Sequence, residues 1–280
     1  MSMRGSAPFF GIPSETQAPG AVVDHRSDQS CQDLQMPSDP MYERFAEGYA
    51  VHAAEGPYNA LYDRPAVLGL AGDVRGRTVL DAGCGPGLYA EELVRRGARM
   101  IGFDASPTLV ALAQARLGET AHLRVHDLSE SLHWVPDSSI NLVVLALTLN
   151  YIDDRVAMLR EFNRVLVPSG ALIISTTHPT SDWQRLGGSY FTVEPVESSL
   201  SAEDDWPVRA WRRPLTLVCQ EFRRAGFLID ELLERQPAEA MARRFPEEYA
   251  RLKQTPAFIA FRLILAQRLV DAHDKCGVEG

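Results

Sequence analysis

The 280-residue sequence has no surplus of basic residues: 28 Lys and Arg stand against 37 Asp and Glu, a formal charge of −9. Proteins that neutralise many nucleic-acid phosphates carry a basic patch or stripe, so no nucleic-acid partner is expected. There is also no run of about 18 apolar residues, the length a membrane-spanning helix needs. The most apolar late stretch, residues 259–266, is strand-sized and broken by Arg262. The first residues lack the apolar core of a secretory signal. Cysteine is sparse, and Cys31, Cys84, Cys219 and Cys276 are scattered with no CxxC pair. Neither a disulfide framework nor a zinc or other metal site is expected, and a reducing cytoplasm fits.

What is present divides the chain into unequal parts. Residues 1–37 are rich in Pro, Ser, Gln and Asp, with too little apolar surface to offset ordering entropy, so a flexible tail is expected there. Residues 269–280 read the same way. A lid helix is expected over 38–56. Ser38, Asp39 and Pro40 supply cap and first-turn residues, and Tyr42, Phe45, Tyr49 and His52 then fall on one face. That aromatic stripe suits core packing and ligand contact equally well.

The main domain, 57–268, alternates strands and helices. Strands are predicted at 78–82, 99–104, 122–125, 140–147, 171–176, 227–235 and 257–265. The helix at 88–96 is stopped by Gly97. The next is capped by Ser106, opened by Pro107 and ended by Gly118. Another starts at Asp153 and Asp154, which read as helix-capping acids rather than a metal pair, and stops at Pro168 and Gly170. One more is predicted at 215–224, and a helical crossover joins the last two strands. The pattern lapses over 178–213, an aromatic-rich insert after the fifth strand that holds His178, Trp183, Tyr190, Phe191, Trp206 and Trp211. The alternation predicts an α/β fold with a doubly wound, mostly parallel sheet of seven strands.

The most informative string is VLDAGCGPG, residues 79–87, where a buried strand runs into Gly83, Gly85 and Gly87. Glycines there let the backbone turn tightly and approach a ligand at the carboxyl edge of the sheet, against the N-terminus of the following helix. A dinucleotide fingerprint would need a glycine at position 88, which is Leu88, and no GKS or GKT follows. Asp81, just inside the strand, would repel a pyrophosphate and suit an ammonium. Asp104, 21 residues beyond Gly83, can accept from two ribose hydroxyls, and Asp127 from the exocyclic amine of an adenine. Amino acid, ribose and adenine together describe S-adenosylmethionine. Cys84, in a backbone-lined loop, reads as a small filler rather than a nucleophile.

In order along the chain, VLDAGCGPG, GFDAS (102–106), HDL (126–128), NLVVLALTLNYIDD (141–154) and EFNRVLVPSGALIISTTHP (161–179) resemble the motifs of class I S-adenosylmethionine-dependent methyltransferases. The likeness is to the small-molecule branch related to ubiquinone and menaquinone biosynthesis methyltransferases, and runs over about 39–265. It implies a Rossmann-like fold and S-adenosylmethionine as cofactor, with S-adenosylhomocysteine as product. It also implies that Gly83, Cys84 and Gly85 line the methionine part by backbone, and that Asp104 binds the ribose. Ala105 packs by the adenine, and Asp127 and Leu128 hold its edge. Leu145, Ala146 and Leu147 close on the methionine amino group and sulfonium, and Tyr42 or Tyr49 covers that end. Relatives often carry a histidine where this chain has Asn150, before Tyr151.

His178, at the sheet edge, is the candidate base, and Tyr42 a second candidate catalytic group. Asn150, Tyr151, Trp183, Tyr190 and Phe191 are candidates for substrate contact. An aromatic cover suits an apolar aromatic or prenylated acceptor. The layout is similar to bacterial natural-product C-methyltransferases. A non-catalytic S-adenosylmethionine-binding protein and a nicotinamide oxidoreductase are the alternatives; the loop spacing weighs against the latter. Beyond a small-molecule substrate, the expected partner is a second copy exchanging the N-terminal helix. No Asn/Asp-Pro-Pro-aromatic motif for a flipped base follows the fourth strand.

Overall fold

Val79, Leu80 and Ala82 of strand β1 (Thr78–Ala82) are wholly buried, as are Val143, Val144 and Leu145 of β4 (Ile140–Ala146). Strands without a solvated face need helices on both sides, and the computed structural model, which describes residues 40–201 and 204–266, supplies them. The sheet has seven strands in the order β3-β2-β1-β4-β5-β9-β8. Its remaining members are β2 (Arg99–Asp104), β3 (Ala121–Val125), β5 (Leu166–Thr177), β8 (Phe227–Leu233) and β9 (Phe258–Leu265). The first five run parallel, and β9 is antiparallel to both of its neighbours. The doubly wound α/β expectation is therefore met. In β4, Ile140, Val143 and Leu145 pack on one side of the sheet, and Leu142 and Val144 on the other.

The helices in chain order are α1 (Ala46–Glu55), α2 (Arg64–Ala71), α3 (Leu88–Arg95), α4 (Pro107–Leu117), α5 (Arg155–Val165), α6 (Pro179–Leu186), α7 (Leu215–Arg224), α8 (Glu239–Arg244) and α9 (Pro246–Leu252). The Ser106 hydroxyl caps α4 by accepting the Leu109 N–H at 3.1 Å, and the Asp154 carboxylate caps α5 by accepting the Ala157 N–H at 3.0 Å.

Four features differ from the sequence reading. The N-terminal helix does not start at Pro40, which is irregular. A 3₁₀ turn at Glu43–Phe45 leads into α1, while Ser38 and Asp39 lie outside the described residues, as do both expected tails over 1–37 and 269–280. A π-helical turn, Asn59–Asp63, runs directly into α2, in a stretch the sequence left unassigned. Pro168 and Gly170 do not end α5. It stops at Val165, and the two sit in a bulge of β5, where Leu166 pairs with Ile140 and Ala171 with Leu142. The insert is ordered as α6 and an antiparallel hairpin, β6 (Glu194–Ser199) and β7 (Pro207–Arg212), in register at Val196 and Ala210. No helix among the described residues is long and apolar enough to cross a membrane.

Candidate active site

The glycine loop folds over the end of β2. The Gly83 and Cys84 N–H groups both donate to the Phe103 carbonyl at 2.9 Å. The Asp104 carboxylate then spans the loop, accepting the Gly85 N–H and the Ser106 N–H at 2.9 Å each. Burial raises the Asp104 pKa, and those backbone donors oppose the rise. Gly85 has a φ of 53°, and a Cβ there would meet nothing closer than a Tyr49 ring carbon at 3.9 Å. A Cβ on Gly83 would come within 2.8 Å of Thr148 Oγ1. The loop is thus shaped to leave backbone open toward a ligand.

Above it lies a cavity of ≈ 390 Å³, within the ~300–1,000 Å³ typical of small-molecule sites. Gly83, Gly85, Asp104 and Ala105 form its floor, and Asp127 and Leu128 one end. Asp127 is exposed, and its Oδ1 accepts the Ser129 N–H at 2.7 Å. Ala146, Leu147 and Thr148 close another side, and Tyr42 and Tyr49 cover it. Leu147 has a φ of 54°, a conformation that branched side chains avoid. Its N–H is held by the Ser175 carbonyl at 2.9 Å.

Four residues placed at the cofactor by the sequence reading do not line this cavity. Leu145 is fully buried in the core, because the pleat turns it under the sheet edge. Gly87 serves helix packing: a Cβ on it would lie 3.1 Å from that of Ala113. The Cys84 thiol is buried, and burial, then the charges of Asp81 and Asp104, push its pKa well up, so it stays protonated. Asp81 lies beneath the loop with one carboxylate oxygen unpartnered. Burial, then the Asp104 charge, raises its pKa to about 7.

The N-terminal cover is fastened by a residue that the sequence did not single out. The Glu43 carboxylate accepts from the Ser106 hydroxyl, from Thr108 Oγ1 at 2.6 Å and from the Thr108 N–H at 3.2 Å. These donors open α4, where the helix dipole favours an anion. They lower the Glu43 pKa from its usual 4.5. Phe45 stacks on Trp206 at 5.7 Å, and a Cβ on Gly48 would lie 2.7 Å from that indole. The helix thus docks on its own chain, over the cavity.

A second, smaller chamber of ≈ 80 Å³ adjoins the first, sharing Tyr42, Tyr49, Leu147 and Tyr151 as its wall. The Tyr42 hydroxyl donates to that of Tyr151 at 2.7 Å. Burial raises both phenols above their usual range, so they act as neutral hydrogen-bonding groups and not as bases. Asn150 and Trp211 also line this chamber. The Asn150 side-chain oxygen accepts from the Thr176 hydroxyl at 2.7 Å.

His178 does not line either cavity. Its Nε2 lies 2.8 Å from Glu234 Oε1, while Nδ1 accepts the Thr180 N–H at 3.2 Å and meets Thr180 Oγ1 at 2.6 Å. With both ring nitrogens engaged, it is the cap of α6. Trp183, Tyr190 and Phe191 are likewise absent from the chamber wall. They group on the outside of the insert, with Trp183 42% and Phe191 75% exposed. Helical geometry explains this: Asp182, Arg185 and Leu186 share the face of α6 that lines the chamber, and Trp183 is rotated away from it. Asp182, Arg185 and Arg212 were missed. The signal for the first two was Pro179, a first-turn residue that marks 179–186 as a helix with an i, i+3, i+4 stripe.

Open backbone at a βα turn, an acid ending the second strand and a covered cavity beside a smaller chamber together make a candidate ligand site at the carboxyl edge of the sheet. Residues 80–174 match the family model described as "Methyltransferase domain" (Methyltransf_11). A cypemycin N-terminal methyltransferase of Streptomyces is 34% identical over 42% of this chain and 49% of its own length. A ubiquinone biosynthesis O-methyltransferase of Xanthomonas oryzae is 34% identical over 39% of this chain and 46% of its own. These matches span about half the length of those relatives. An S-adenosylmethionine-dependent methyltransferase structure from Mesorhizobium loti superposes with a TM-score of 0.60 at 23% identity, over 75% of this chain and 99% of that one. At that identity the likeness shows the fold. The match to the methyltransferase domain family runs from β1 into β5 and takes in about a third of the chain.

Proposed function

We propose that this chain transfers a methyl group from S-adenosylmethionine to a small molecule held in the smaller chamber. The observation that carries this reading is the shared wall: Tyr42, Tyr49, Leu147 and Tyr151 border both cavities, so a ligand in each would meet at one partition. The residues of the larger cavity fit the cofactor. Asp104 offers carboxylate oxygens to ribose hydroxyls, Asp127 and Leu128 flank the adenine, and the open backbone of Gly83 and Gly85 receives the methionine end. When bound, the cofactor supplies a methyl group made electrophilic by its sulfonium.

The chain's own contribution is alignment and exclusion of water. The Tyr42–Tyr151 hydrogen bond fixes two hydroxyls at the partition. The Glu43 anchor keeps the aromatic cover closed over both chambers. Trp211, Phe258 and Tyr49 in the smaller chamber suit an acceptor with an aromatic ring. A role in bacterial secondary metabolism is part of this proposal, in keeping with the resemblance of the layout to natural-product C-methyltransferases.

Calorimetry with S-adenosylhomocysteine tests the reading. Asp104→Ala should lose two charge-assisted hydrogen bonds to ribose, each contributing about 1.5–3 kcal/mol, while circular dichroism stays unchanged. An affinity equal to wild type would overturn the assignment of the larger cavity.

A further inference from the structure

The wall of the smaller chamber made by α6 and the hairpin belongs to a cluster with more buried positive than negative charge. Arg155 is 1% exposed, Arg212 6%, and Arg185 and Arg213 are largely covered; the buried carboxylates are Asp182 and Glu221. Glu221 is divided between Arg155, at 3.4 Å, and Arg213. Asp182 accepts from Arg185 at 3.2 Å. Arg212 pairs with the half-exposed Glu194, at 3.4 Å, lies near Asp182, and spends one amino group on the Gly187 and Ser189 carbonyls. Arg155, Arg212 and Arg213 each keep a buried Nε–H without a partner. Burial pulls the Arg155 pKa down to about 10 even though Glu221 and Asp182 both oppose the shift.

A buried cation in excess is unfavourable unless a counter-charge is close. Arg185 and Arg212 reach the chamber wall. Among the described residues Asp182 is the only carboxylate on that wall, and it is already bonded to one guanidinium and flanked by the other. An entering ammonium would meet both cations. The chamber is the smaller of the two, at ≈ 80 Å³, which favours a small acceptor. We infer that the acceptor is a small aromatic anion whose oxyanion seats against Arg185 and Arg212. The inference rests on the methyl-transfer reading only in taking this chamber as the acceptor's.

The test measures binding of benzoate, phenyl phosphate, benzamide and benzylamine to the full chain, with and without saturating S-adenosylhomocysteine. The acids should bind at least about ten-fold more tightly than benzamide, as one charge-assisted hydrogen bond predicts, and benzylamine more weakly still. Comparing the two acids separates a carboxylate from a phosphate ligand. Arg185→Gln should remove the acid preference, Arg185→Lys should retain part of it, and Asp182→Asn should tighten acid binding by removing a like charge. Thermal melting checks that each variant is folded. Equal or tighter binding of benzamide or benzylamine, no preference among the probes, or an unchanged preference in Arg185→Gln would overturn the inference. Failure of S-adenosylhomocysteine to bind the wild-type chain would instead overturn the methyl-transfer reading, and the preference would still be read on the cofactor-free chain.

Discussion

The sheet edge and the cover over it are built on different terms. At the edge, every important contact is made by residues close in sequence or on adjacent strands: Asp104 to Gly85 and Ser106, Gly83 and Cys84 to Phe103. The cover is held by a few side chains reaching 60 residues or more, such as Glu43 to Ser106 and Thr108, Tyr42 to Tyr151 and Phe45 to Trp206. The edge inherits the stability of the whole sheet, while the cover can open by itself at the lower free energy of a local transition.

Leu145→Ala should have the largest effect. It removes a fully buried core side chain and should lower global stability by about 2–5 kcal/mol in urea titration. Cofactor affinity of the folded fraction should be unchanged, since Leu145 lies outside the cavity wall. Parallel losses in both would erase the distinction between core and site.

Glu43→Ala should act on the cover alone. Loss of its charge-assisted hydrogen bonds should weaken docking by about 1.5–3 kcal/mol, read as faster amide exchange over 43–55 with β4 protection unchanged. The pH dependence has a fixed sign. The Glu43 pKa is lowered by docking, so its contribution is complete above the undocked value of 4.5 and is lost as pH falls through the docked value. Protection factors in α1, which correct for the intrinsic pH dependence of exchange, should therefore fall on acidification below about pH 4.5 in the wild type, and be insensitive there in Glu43→Ala. Uniform exchange across chain and cover would contradict this.

His178→Ala should have the smallest effect, about 0.5–2 kcal/mol as for loss of a helix cap. S-adenosylhomocysteine affinity should stay at the wild-type level in calorimetry. A large affinity loss would place the imidazole at the ligand after all.

The same contrast explains what could be read in advance. The bounds of β1, β2 and α4 were legible because their signals are local: the glycines after Ala82, and Ser106, Pro107 and Gly118 around the helix. Asp104 was legible as an acid ending the second strand. Leu145 was misplaced because a continuous apolar run such as 140–147 carries no alternation to tell wall from core. The hairpin escaped because β6 reads Glu-Pro-Val-Glu-Ser-Ser, a polar sequence with a proline. Glu43 had no readable partner, since Ser106 and Thr108 lie 63 and 65 residues away. Trp183 and Phe191 drew attention by residue type, yet type does not say which way a helix or loop turns.

Leu147 sets two demands against each other at one position. Its left-handed backbone would relax with glycine, while its side chain packs against the apolar cluster of Tyr58, Tyr62 and Phe258. The same side chain is part of the septum between the two chambers. Without it they would merge, and two ligands would lose the fixed plane at which they meet. The leucine thus holds a strained backbone conformation at the one place where its side chain divides the space between two ligands.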